Sequence, residues 1–159
     1  YTYDGCLHAL CNAHHLRELT RAHEQDKQEW AGKMKILLEE FNIAVNNKGG
    51  SLNKACANKN RQYYRELLQE AELECPPPDE SKRNGKRGRL KRSKSRNLLE
   101  RFINYEDDVL RFMGDADVPF TNNQGENDIR MTKVQQKISG CFRSMEGAEI
   151  FCRVRGYLS

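Results

Sequence analysis

Apolar residues recur along this chain in two rhythms. Between residues 6 and 11, Cys6, Leu7, Ala9, Leu10 and Cys11 make a run broken only by His8, the pattern of one short buried strand. From Asn12 the spacing turns helical, with a weak stripe of Ala13, Leu16, Leu19 and Ala22. Trp30, Met34, Leu37, Leu38, Phe41 and Val45 then recur three and four apart, which predicts a strongly amphipathic helix. Asn46-Asn47-Lys48-Gly49-Gly50 ends it, since asparagine and glycine accept left-handed backbone. A third helix is predicted from near Leu52 to Leu73, stopped by Pro76-Pro77-Pro78. A fourth starts near Ser95, carries Leu98, Phe102, Tyr105, Val109 and Phe112, and ends at Gly114. A fifth covers 124–138, and after a turn at Ser139-Gly140 a last one runs from Met145 to Leu158. The sum is mostly α with a lone strand, whose ladder hydrogen bonds need partners from elsewhere.

At 159 residues the chain has room for one ordinary domain, or for one domain and a fragment of another. Apolar residues are 37% and charged residues 31%, so the core is modest and the surface well solvated. No apolar run approaches the roughly 20 residues of a membrane span, and no signal peptide opens the sequence, so neither a membrane protein nor a secreted one is expected. The start at Tyr1, without a methionine, leads us to expect a piece of a longer polypeptide. The six cysteines (Cys6, Cys11, Cys56, Cys75, Cys141 and Cys152) suit a reducing compartment and read as free thiols, mostly buried.

Charge changes the picture more. Lys82, Arg83, Lys86, Arg87, Arg89, Lys91, Arg92, Lys94 and Arg96 crowd one stretch without an acid. The other 18 basic residues face 23 acidic ones, a balance of −5, so the basicity is a local device. Such a block is either a solvated mobile loop or a contact for an acidic polymer, touching phosphates without reading bases. Tyr63, Tyr64 and Arg65 have two readings: stacking on unpaired bases, or, at helical spacing beside Leu67 and Leu68, membership of the core, which we prefer.

Asn123-Gln124-Gly125-Glu126 has the form of a capping box, with Asn123 as N-cap and Glu126 at N3. At 100° per residue from Glu126, Arg130, Lys133 and Lys137 fall within about 40° of it. One acid thus heads a stripe of three cations about 16 Å long, while Met131, Val134 and Ile138 lie on an adjoining face expected to pack inward. The stripe reads as a solvated face with a Glu–Arg pair, or as an acid holding a metal ion above cations that track a phosphate backbone. Cys6, His8, Cys11, His14 and His15 resemble a zinc cluster in composition, but structural zinc sites take two ligand pairs separated by a longer loop, and buried thiols are the preferred reading.

Over residues 119–159, and again at the LCNAHHLREL stretch of 10–19, the sequence resembles the insertion-sequence-66 family of bacterial transposases. The N-N-x-x-E-x-x-x-R pattern at 122–130 together with Cys11-x-x-His14 carries the resemblance, which extends more loosely through the helices between. It implies the C-terminal part of an RNase H-like α/β domain of DDE type, with an all-helical insertion. The strand and following helix of the core would occupy 1–24, the insertion 25–113 with its basic loop at 79–96, and the C-terminal core helices 114–159. Glu126 would be the triad glutamate, catalytic and metal-ligating, for Mg²⁺ or Mn²⁺. The two triad aspartates would lie upstream, since Asp4 falls too close to the strand. The DNA-contacting residues would be Arg130, Lys133, Lys137, Arg17, Lys82, Arg83, Lys86, Arg87, Arg89, Lys91 and Arg92, and His14 and Arg17 would sit near the active site. The implied partner is transposon-end DNA, in a homo-oligomer, in the bacterial cytoplasm at the nucleoid. Two rivals stand beside this reading: a non-enzymatic helical DNA-binding module, and a small zinc-binding interaction domain.

Overall fold

The computed structural model describes residues 5–79, 90–140 and 142–158. They divide into two compact units, one reaching to Phe120 and one starting at Thr121. The first holds α1 (Asn12–Glu24), α2 (Glu29–Asn47), α3 (Lys54–Glu74), α4 (Lys94–Asn104) and α5 (Glu106–Leu110), followed by a 3₁₀ turn at Arg111–Met113. The second holds α6 (Asn123–Ser139) and α7 (Met145–Leu158).

The helix of strongest periodicity, α2, is the centre of the first unit. It buries Trp30, Met34, Leu38, Phe41 and Val45 and lies between α1 and α3. Its stop is as the residues dictate, with Gly49 and Gly50 at φ of 81° and 107°, a region that side chains with a Cβ avoid. The fourth helix touches both α3 and α1, closing the layer around Phe102. Around that ring stand His15, Trp30 and Tyr64, all edge-on with centroids 5.0, 6.4 and 6.3 Å away.

In this first unit four expectations need correction. No residue among those described lies in a strand, so the RNase H-like strand at 6–11 is not found. The segment is instead satisfied by the α5 region: the Leu10 amide donates to the Asp108 carbonyl at 2.9 Å, and Arg111 Nε donates to the His8 carbonyl at 2.6 Å. Two of the backbone groups that a ladder would use are thus engaged elsewhere, and Leu7 is left 77% exposed. Second, the fourth predicted helix breaks at Tyr105 (φ −123°, ψ 34°), and α5 restarts with Glu106, Asp107 and Asp108 in its first turn, where the helix dipole favours acids. Tyr105 therefore turns outward. Third, only Tyr64 of the adjacent tyrosines is in the core, because neighbours on a helix point 100° apart. Tyr63 is 45% exposed under the Lys59 ammonium, and Arg65 grips Glu106. Fourth, among the described cysteines only Cys75 is buried; Cys6, Cys56 and Cys152 are exposed and Cys11 is half-buried. Cys56, for one, falls outside the buried stripe of Tyr64, Leu68 and Ala71.

In the second unit α6 ends on Gly140, whose φ of 74° is the left-handed stop expected there. Met131, Val134 and Ile138 do not pack inward: all are exposed, as are Met145, Ile150, Val154 and Tyr157 of α7. Among the described residues no buried member of the hydrophobic core lies beyond Met113, and the unit's one described ring contact is Phe142 against Phe151 at 5.4 Å.

Candidate functional site

The head of α6 starts one residue earlier than the capping pattern implies. Asn122 is the N-cap and makes no side-chain bond to the cap amides, so Glu126 is the fourth helical residue, its amide bonded to the Asn122 carbonyl at 3.0 Å. A Cβ at Gly125 would stand 2.5 Å from Asn122 Oδ1, so glycine is what lets the asparagine side chain lie against this turn. The Glu126 side chain is exposed, as are Arg130, Lys133 and Lys137 along the same helix. Those three cations make no ion pair among the described residues.

At the start of α1, Cys11 is the N-cap residue in extended conformation, and His14 and Arg17 face outward one and two turns on. Behind them, the side of α1 that meets the core carries two polar residues. Asn12 Nδ2 donates to the Val109 carbonyl at 3.0 Å, and its Oδ1 faces His15 Nδ1 at 3.1 Å. An amide oxygen only accepts, so the His15 hydrogen is on Nδ1. Burial, the Arg101 guanidinium and His14 together push the His15 pKa down from 6.5 to about 4. Neither residue stands out by hydrophobicity; the signal was their 3-4-3 spacing with Leu19 and Ala22.

The basic segment divides. Lys82, Arg83, Lys86, Arg87 and Arg89 lie outside the described residues. Lys91 and Lys94 are exposed, whereas Arg92 pairs with Glu100. Arg96 is buried, donating to Glu72 at 3.0 Å, Glu100 at 3.2 Å and the Cys75 carbonyl at 2.8 Å. Two of the nine cations are therefore engaged within the protein, tying the end of α3 to α4. Cys6 Sγ and His8 Nε2 approach to 3.8 Å, yet they belong to no cluster of three or more potential metal ligands among the described residues.

Compared with known proteins, residues 1–150 match a family model described as Transposase IS66 family. No curated protein and no solved structure matches the chain.

Proposed function

This chain belongs to the IS66 transposase family, and we propose that it carries the last acidic residue, Glu126, of a DDE-type catalytic domain. Membership supports a role in transposition and sets the chain among DNA-processing enzymes. The finer reading draws its support from one arrangement: an exposed carboxylate at the head of α6, followed on the same helix by three exposed cations without acidic partners among the described residues.

A carboxylate is the hard oxygen ligand that Mg²⁺ prefers and Mn²⁺ accepts, so Glu126 fits as one ligand. Phosphoryl transfer of this kind draws on two divalent ions to activate the attacking oxygen and stabilise the leaving one. One carboxylate cannot hold such a pair, so the proposal requires two aspartates that no residue of this sequence matches. Arg130, Lys133 and Lys137 would neutralise the phosphates flanking the scissile bond and hold the backbone in register. Arg17 on α1, with Lys82, Arg83, Lys86, Arg87, Arg89 and Lys91, would make phosphate contacts of their own. With Arg92 and Arg96 engaged internally, seven cations of the basic segment remain, which bounds its share of the log–log salt slope near about −6.

The chain alone, given transposon-end DNA and Mg²⁺, is expected to leave the DNA uncut. Joined to a polypeptide that supplies both aspartates it is expected to cleave, and Glu126→Gln should then lower the rate on the order of 10³-fold or more. Full cleavage by the Glu126→Gln protein would reject the assignment.

A further inference from the structure

The corner that opens α1 carries a second kind of chemistry. Cys11 Sγ and a ring nitrogen of His14 lie within 4.8 Å of one another, one turn apart. A tetrahedral zinc ion with Zn–S near 2.3 Å and Zn–N near 2.0–2.1 Å spans about 3.6 Å between those ligands, which a side-chain rotation reaches. The backbone beneath is held on every side. The Leu10 amide is bonded to Asp108, the Asn12 amide to Phe120, the Asn12 side chain to Val109 and His15, and the His14 amide to the Cys11 carbonyl. A chelate here would close on a frame that is already ordered, so little freedom is lost on binding. Both ligands are reachable, His14 exposed and Cys11 half-buried.

We propose that Cys11 and His14 chelate a borderline divalent cation of the Zn²⁺ class. Thiolate and imidazole select such ions, whereas Mg²⁺ demands oxygen. Binding releases the Cys11 thiol proton to solvent, since the thiolate is the ligand.

Titrating the whole chain with Co²⁺, in a reductant that does not bind metals, tests this. A thiolate-to-cobalt charge-transfer band should saturate at one equivalent, persist in Cys6→Ser, and survive a large excess of Mg²⁺. It should vanish in Cys11→Ser, and His14→Ala, an exposed change, should weaken binding at least about tenfold. Helical circular dichroism reports whether each variant is folded. The proposal is overturned if no band forms, if the band survives Cys11→Ser, if Cys6→Ser removes it, or if Mg²⁺ displaces the ion. The cobalt band reads thiolate ligation whereas the cleavage assay reads Glu126, so failure of this inference is distinguishable from failure of the transposase reading.

Discussion

His15 shows how a single titratable side chain ties the fold to pH. Its ring is in the core, edge-on to Phe102, and donates from Nδ1 to an asparagine that is itself held by Val109. The folded pKa of about 4 lies below the ordinary 6.5, so the fold favours the neutral ring. The resulting stability is complete above about pH 6.5 and is lost as pH falls toward 4, up to about 3 kcal/mol from this group. Urea midpoints measured between pH 7 and 4 should fall in the wild type and fall less in His15→Gln. Equal slopes in the two proteins would remove His15 from the account. The same residue explains what is hard to read at this scale: a histidine in a polar stretch looks like a ligand, and only the packing of α1 on α4 marks it as core.

At the scale of elements, α3 is charged against its own dipole. Lys54, Lys59, Arg61 and Arg65 come before Glu66, Glu70, Glu72 and Glu74 along it, which is the unfavourable order. Partners on other helices account for this. Arg61 and Arg65 meet Glu106 on α5, Glu70 meets Lys33 on α2, and Glu72 meets Arg96 on α4. Glu74 is the most informative: its two oxygens accept from the amides of Glu29 at 2.6 Å and Trp30 at 2.9 Å, capping α2 from another helix. The Gln28 N-cap makes no side-chain cap bond of its own. Glu74→Ala is therefore expected to cost about 1–2 kcal/mol, as loss of an N-cap does. Glu74→Gln should cost less, since the amide oxygen still accepts one bond. Chemical denaturation would measure both, and an unchanged midpoint for the alanine variant would show that α2 does not need this cap. Helix positions and stops were legible because apolar spacing and breakers act locally. Caps and breaks supplied from a distance, such as Glu74 or the kink at Tyr105, were not.

For the whole molecule the contrast lies in how the two units are built. The first has a continuous core from Leu19 to Met113, whereas the second exposes the apolar faces of both its helices. Helices with little buried surface are marginal by themselves. Hydrogen exchange on the intact chain should find the amides of α6 and α7 exchanging on the order of 10²-fold or more faster than the central amides of α2. Equal protection would mean that α6 and α7 are held by burial the exposed residues do not reveal. No helix among the described residues is long and apolar enough to cross a membrane, in line with the sequence. The linear order of residues determined the helices, their stops, the acid-then-cations stripe on α6 and the family, since periodicity, glycine, proline and motif spacing are local properties. Tertiary structure alone decided that residues 6–11 bond to α5 rather than to a strand. It also decided that Tyr64 is inside and Tyr63 outside, and that Arg92 and Arg96 are occupied by glutamates. Each of these depends on a hydrogen-bond or ion-pair partner brought near by folding, and no pattern along the chain records which distant group that will be.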